Sequence, residues 1–127
     1  MSEKYQIKNI QDWLSLPLME IPAVKSIEEK GVMHNVQKVG YFIADLEECH
    51  NAGIIDNTEL SGDIPLPTIV IKEAGGELKQ YRLPVELNNW VYDIIEAANH
   101  EKKSPFPREV EFGSVNGRFY AEMEGLE

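Results

Sequence analysis

A two-residue turn near the carboxyl end constrains the fold of this chain more than any other feature of its sequence. In EVEFGSVNGRFYAEM, residues 109–123, Asn116-Gly117 separates two runs rich in β-branched and aromatic residues. Asn-Gly favours the tight hairpin turn in which both central residues have positive φ. The turn predicts the register of the two strands, which pairs Val110 with Met123, Glu111 with Glu122, Phe112 with Ala121, Ser114 with Phe119 and Val115 with Arg118.

Strand alternation gives this hairpin two unlike faces. The first face is almost entirely apolar and carries Val110, Phe112, Ser114, Phe119, Ala121 and Met123. The second face carries Glu111, Arg118, Tyr120 and Glu122, and we expect it to be exposed. Glu111 and Glu122 then lie directly opposite each other, where like charges destabilise a sheet by up to ~1 kcal/mol. Glu109 and Glu124 extend this acidic stripe.

The stretch that begins at Pro84 predicts the most regular helix of the chain. Its apolar stripe contains Leu87, Trp90, Val91, Ile94, Ile95 and Ala98. Its polar face contains Glu86, Asn89, Asp93, Glu96 and His100. Proline suits the first helical position, where its missing N–H costs nothing. Lys102 and Lys103 suit the negative end of the helix dipole, before Pro105 stops the helix.

Residues 68–84 predict a second hairpin, because a β-branched run precedes a Gly-Gly turn at 75–76. A four-residue loop, 73–76, places Lys72 opposite Glu77. A two-residue loop would instead oppose two lysines and is electrostatically worse. The preceding polar and proline-rich residues 56–67 are predicted to form a loop.

The amino-terminal part predicts helices. Asn9 caps a short helix that Pro17 ends, and Ser26 with Glu29 forms a capping-box pattern. A longer helix is predicted from Asn35 to Ala52. Its apolar arc contains Val36, Val39, Phe42, Ile43, Leu46 and Cys49. The expected fold class is therefore α+β: N-terminal helices followed by a β-β-α-β-β unit, whose antiparallel sheet packs on a helix. We expect residues 1–127 to form one domain.

The chemistry-bearing residues do not form a recognisable constellation. Cys49, the only cysteine, lies at the edge of the predicted apolar stripe, where a free cysteine behaves as a small hydrophobe. His50 points about 100° away on a helix, so the two cannot share a proton as a nucleophile and base must. The histidines lack ligand spacing, and GxSxG, HExxH, paired CxxC and phosphate-loop motifs are absent. We predict no catalytic residues, no metal site and no cofactor.

The distribution of charge is the main functional signal. The formal net charge is −10, from 22 acids and 12 bases. Residues 39–71 contain six acids and neither Lys nor Arg, and residues 109–127 contain five acids and one Arg. These stretches contribute −6 and −4, which is the whole net charge. Such a surface repels nucleic-acid backbones and anionic membranes, and it attracts basic proteins.

The leading functional hypothesis is a small, non-catalytic inhibitor or immunity-type protein that docks a basic protein partner. The predicted contact residues are Glu109, Glu111, Arg118, Tyr120, Glu122 and Glu124, with Asp45, Glu47 and Glu48 as a second patch. Four alternatives stay open: acidity that serves only solubility, a DNA mimic, a subunit of a larger or self-associated assembly, and a small-ligand domain with a pocket between the third helix and the sheet. One cysteine and no apolar run of membrane-spanning length favour a cytoplasmic location.

Overall fold

Five antiparallel strands and three helices make up the part of the chain that the structure describes, which confirms the α+β class. The computed structural model describes residues 7–24, 31–55 and 62–123. In chain order the elements are α1 (Ile10–Ser15), β1 (Val32–Asp45), α2 (Leu46–Asn51), β2 (Asp63–Lys72), β3 (Leu78–Arg82), a 3₁₀ turn (Val85–Leu87), α3 (Asn88–Glu101), β4 (Arg108–Val115) and β5 (Arg118–Met123).

The strands lie in the order β3-β2-β1-β4-β5. Strands β4, β1, β2 and β3 therefore have the spatial order of a Greek key, with α3 in the long connection from β3 to β4. The sheet curls enough for its two ends to approach each other. Phe119 of β5 lines the same surface pocket as Leu83 and Val85, which follow β3.

The predicted order of elements is wrong at one place, because a strand replaces most of the helix predicted from Asn35 to Ala52. β1 runs to Asp45, and only α2 is helical. A β-bulge between Val36 and Lys38 shifts the strand alternation, so the core residues Val36 and Val39 are three apart, as on a helix. In the second half of β1, Tyr41 packs against the larger core while Phe42 and Ala44 pack in the smaller one, so apolar residues are consecutive there. The two effects together imitate a helical pattern.

The larger core lies between α3 and one face of the sheet. Its buried residues are Met19, Val36, Ile69, Ile71, Leu83, Leu87, Val91, Val110 and Phe112. The rings of Trp90 and Phe112 meet edge to face, with centroids 5.6 Å apart. This cluster confirms the predicted apolar faces of α3 and of the last hairpin.

The smaller core lies on the opposite face of the sheet, under α1 and α2. Its buried residues are Trp13, Ala44, Cys49 and Leu66. α1 begins as predicted, with the Asn9 side chain accepting a hydrogen bond from the backbone N–H of Asp12 at 2.9 Å. The Trp13 indole N–H donates to the carbonyl oxygen of Pro67 at 3.0 Å, which attaches α1 to β2.

The start of β2 also differs from the prediction, since residues 63–67 are strand rather than loop. Two prolines are tolerated there because β3 pairs only with residues 68–72, which leaves the earlier stretch without a strand partner on that side. The second hairpin differs by one residue, since Lys72 pairs with Leu78 rather than with Glu77. The capping-box pattern at 26–29 lies outside the described residues.

The carboxyl end of α3 agrees with the sequence pattern, whereas the amino end differs, since Pro84 precedes a 3₁₀ turn and α3 begins at Asn88. The 3₁₀ turn follows Pro84, and Lys102 caps the carboxyl end in the left-handed conformation, with φ of 57°. The five residues of the predicted polar face are all exposed. Within the described ranges, no helix is long and apolar enough to cross a membrane.

Trp13→Ala should lower the free energy of unfolding by roughly 3–5 kcal/mol, since a large side chain that is 2 % exposed leaves a cavity and its indole bond is lost. Urea denaturation measures the change. Leu18→Ala is the control, because Leu18 is 48 % exposed and should change stability by no more than about 0.5 kcal/mol. Equal effects of the two substitutions would show that α1 is not anchored in the smaller core.

Candidate functional site

The last hairpin has the register that the Asn-Gly turn predicts. β4 and β5 pair Val110 with Met123 and Val115 with Arg118 at the two ends, and Glu111 lies directly opposite Glu122. Asn116 and Gly117 both have positive φ, at 55° and 80°. The Asn-Gly turn therefore correctly predicts how these two strands pair.

Glu111 is nevertheless not exposed, so that part of the prediction is wrong. Glu111 is only 5 % exposed, and one of its carboxylate oxygens, Oε2, accepts two hydrogen bonds. The Tyr120 hydroxyl donates to it at 2.6 Å and the backbone N–H of Gly31 donates at 2.8 Å. These bonds hold the Glu111 carboxylate beneath Gly31, the residue before β1. They also offset the repulsion expected between Glu111 and Glu122.

Two glycines make this arrangement possible. A side chain at Gly113 would put its Cβ 2.6 Å from the Tyr120 hydroxyl oxygen, so the tyrosine ring can lie across the strand only because residue 113 is glycine. A Cβ at Gly31 would come within 2.0 Å of the carbonyl oxygen of Phe112. Glycine at both positions thus lets a backbone segment and an aromatic ring close over one carboxylate.

The environment of Tyr120 keeps its hydroxyl protonated. The hydrogen bond to Glu111, then burial and the nearby carboxylates of Glu111 and Glu122, raise the pKa of Tyr120 to about 12. A hydroxyl with this pKa stays protonated, and so remains a hydrogen-bond donor, throughout the neutral pH range. Tyr120 is therefore a structural partner of Glu111, while its ring remains half-buried at the surface.

Among the described residues of the predicted acidic stripe on the hairpin, three charged residues are exposed. Glu109, Arg118 and Glu122 are exposed, and their charges sum to −1. Glu124 lies outside the described residues. The structure thus keeps the strand pairing of the predicted site but removes its central carboxylate from the surface.

The second predicted patch is larger than the sequence analysis expected. Asp45 ends β1 and pairs directly with Asp63, the first residue of β2. Glu47 and Glu48 follow in the first turn of α2, and all four acidic residues are exposed. We refer to Asp45, Glu47, Glu48 and Asp63 as the acidic patch. The sequence analysis did not include Asp63 in this patch because it assigned residues 56–67 to a loop. Asp63 nevertheless belongs to residues 39–71, the stretch that contains acids but neither Lys nor Arg.

Backbone hydrogen bonds give the acidic patch a defined shape. One oxygen of the Asp45 carboxylate accepts from the N–H groups of Glu47 and Glu48 at 2.8 and 3.2 Å. Asp45 is therefore the N-cap of α2, and it orients the two glutamates that follow. Three elements of the fold bring together four carboxylates.

Cys49 and the histidines do not form a reactive group. Cys49 is fully buried, and burial, with smaller contributions from Glu48 and Asp45, raises the pKa of its thiol. The adjacent His50 is exposed, so the two side chains diverge as predicted. His34 is half-buried near Phe112, and burial lowers its pKa. Among the described residues, no group of three or more His, Cys, Asp or Glu is placed to hold a metal ion.

A pocket of about 440 Å³ lies beside the second half of α3, and we refer to it as the α3 pocket. Its apolar lining consists of Trp90, Ile94, Ala97, Ala98, Pro105 and Met123. Asp93 and Glu101 line it from the helix, and Lys103 and Arg108 line it from the following segment and β4. The sequence suggested a space between α3 and the sheet but did not identify these charged residues, because they come together only through the turn after α3.

Comparison of the chain with family models, curated proteins and solved structures finds no match. The fold class by itself assigns no activity. A function must therefore be inferred from the acidic patch, the hairpin and the α3 pocket themselves.

Tyr120→Phe should destabilise the protein by roughly 1–3 kcal/mol, because a buried carboxylate loses its shortest hydrogen bond. Chemical denaturation measures the loss. Tyr92→Phe removes a hydroxyl from an exposed tyrosine on α3 and serves as the matched control. A stability equal to wild type for Tyr120→Phe would contradict the role assigned to this bond.

The stabilisation by Tyr120 should disappear at high pH. Its pKa is about 12 in the folded protein and about 10 in an unfolded chain, so the folded state binds the proton more tightly. The contribution is complete below pH ~10 and is lost as the pH rises towards ~12. Denaturation of wild type and Tyr120→Phe in parallel should show a stability difference that shrinks across this window. A constant difference would contradict the raised pKa.

Proposed function

We propose that this protein is a small, non-catalytic binding domain, cytoplasmic in location, that docks a basic protein partner through the acidic patch. The observation that supports the proposal is the convergence of Asp45, Glu47, Glu48 and Asp63 at one end of the β1–β2 pair, all of them exposed. Lysine and arginine are absent from the whole sequence between positions 39 and 71, which surrounds the patch. A basic partner would supply the missing counter-charges.

The patch stores electrostatic repulsion that such a partner would relieve. Asp45 and Asp63 lie in register on adjacent strands, where like charges cost up to ~1 kcal/mol. Glu47 and Glu48 add two further negative charges within the next turn of the chain. Lysine or arginine side chains from a partner would convert these repulsions into attractions. Complementary charge of this kind chiefly raises the association rate and makes binding sensitive to salt.

The acidic patch is a better docking surface than the last hairpin, the region first favoured by the sequence. On the hairpin, Glu111 is buried and Arg118 offsets part of the remaining acidity. The acidic patch has four exposed carboxylates, and the Asp45 cap fixes the backbone from which Glu47 and Glu48 project. Preformed geometry of this kind reduces the entropy lost on binding.

The separation of the two acidic regions favours a compact docking site over a DNA mimic. Glu109 pairs with Asn35 near the start of β1, whereas the acidic patch begins at Asp45. Ten residues of strand span roughly 33 Å. A mimic of a phosphate backbone would need carboxylates along that whole distance, but Lys72 lies level with Glu109 and Lys38 lies on β1 between the two ends.

Removing three of the four charges of the acidic patch should weaken capture of a basic partner. The test variant is Glu47→Gln/Glu48→Gln/Asp63→Asn, which keeps the Asp45 cap. The matched control, Glu77→Gln/Glu86→Gln/Glu96→Gln, removes three exposed charges elsewhere. Affinity capture from an extract of the native cells, at stepped salt, should show binding of one basic protein by wild type and control.

The patch variant should bind that partner up to about a hundredfold more weakly, because each of the three lost ion pairs contributes up to ~1 kcal/mol. Circular dichroism and urea denaturation confirm that both variants remain folded. Equal capture by the patch variant and the control would overturn the acidic patch as the docking surface. Loss of capture in both would show that only the total charge matters.

A further inference from the structure

Besides the acidic patch, the surface carries the α3 pocket, which has the size and lining of a small-molecule site. Its volume of about 440 Å³ lies within the usual range of 300–1,000 Å³ for small-molecule sites, towards the small end. We infer that the α3 pocket binds a small organic ammonium ion, a molecule with one positively charged amine on an apolar body. This inference does not depend on the acidic patch, which lies on other elements of the fold.

The lining of the pocket accounts for the apolar body. Trp90 and Ile94 from α3, with Met123 from β5, give it an aromatic and aliphatic wall. Trp90 is held in place from behind, since its ring packs edge to face against the fully buried Phe112. A wall supported in this way keeps its shape before a ligand arrives, and burial of apolar surface against it supplies the main attraction.

Two carboxylates on the same side of α3 account for the positive charge. Asp93 and Glu101 both line the pocket and are eight residues apart, about 12 Å along the helix axis. They flank the apolar wall at its two ends. The carboxyl end of α3, where Glu101 is the last helical residue, adds the negative end of the helix dipole. An ammonium group at either end of a bound molecule thus has a carboxylate of the lining beside it.

The two basic residues of the lining do not reverse this preference. Arg108 is half-buried, its Nε–H donates to the carbonyl oxygen of Pro105 at 3.3 Å, and it makes further interactions within the protein. Lys103 lines the pocket but is exposed, so its long side chain can extend into solvent. The protein as a whole carries a net charge of −10, so the field that a diffusing molecule meets attracts cations.

Three probes of nearly equal size and shape test the inference at pH 7: 2-phenylethylamine, 2-phenylethanol and 3-phenylpropionate. The amine is protonated at this pH, as a lysine side chain is, whereas the other two are neutral and anionic. Each is titrated into the ¹⁵N-labelled protein by NMR. The amine should shift the signals of the Trp90 indole N–H and the Ala97 and Ala98 amides, the alcohol should bind more weakly, and the carboxylate should bind weakest.

Matched variants locate the charge recognition. Asp93→Asn and Glu101→Gln should each weaken binding of the amine by up to about fivefold, the factor expected from one exposed ion pair. Glu96→Gln removes an exposed carboxylate from the same helix outside the pocket and should leave binding unchanged. Ala97→Phe fills the pocket from an exposed helical position and should abolish binding of the amine.

The inference is overturned if 3-phenylpropionate binds as tightly as the amine, or if none of the three probes shifts the pocket signals. It is also overturned if Glu96→Gln weakens the amine as much as Asp93→Asn and Glu101→Gln do. In that last case the amine would respond only to the general negative charge of the protein and not to this pocket.

Discussion

The pairing of β1 on both of its sides is the constraint on which the rest of the structure depends. β1 pairs with β4 from Val32 to Val36 and with β2 from Asn35 to Asp45, and the bulge after Val36 lies where the two pairings overlap. The start of β1 therefore places the Gly31 N–H over Glu111, and its end places Asp45 beside Asp63. One strand thus positions both the buried carboxylate and the exposed acidic patch, at opposite ends of the sheet.

One acidic side chain is buried at the first of these ends and those of the acidic patch are exposed at the other, because the backbone offers N–H donors differently at the two places. At Glu111, Tyr120 and Gly31 direct their donors at one carboxylate, so burial is compensated and the residue becomes part of the structure. At the acidic patch the available N–H groups are used by Asp45, and the glutamates that donate them point their own side chains into solvent. Net charge alone does not distinguish these environments, although they have different functional consequences.

Local patterns predicted local structure well, while long-range contacts produced the errors. The Asn-Gly turn gave the correct hairpin register, and the spacing of apolar residues gave the correct inner and outer faces of α3, because both signals act over a few residues. The bulge in β1 was not predictable, since it depends on pairing with two distant strands, and it made a strand resemble a helix. Burial of Glu111 required Gly31, which is 80 residues away in the chain. Asp63 joined the acidic patch only through its pairing with Asp45.

A direct map of where positive charge binds would test the central claim, that the acidic patch and not the last hairpin is the docking surface. The measurement is titration of the ¹⁵N-labelled protein with a short lysine-rich peptide, followed by NMR at low and physiological salt. The account predicts salt-sensitive shifts centred on the amides of Asp45, Glu47, Glu48 and Asp63, with little change at Glu109 and Glu122. Shifts centred on the hairpin, or spread evenly over all exposed carboxylates, would contradict it.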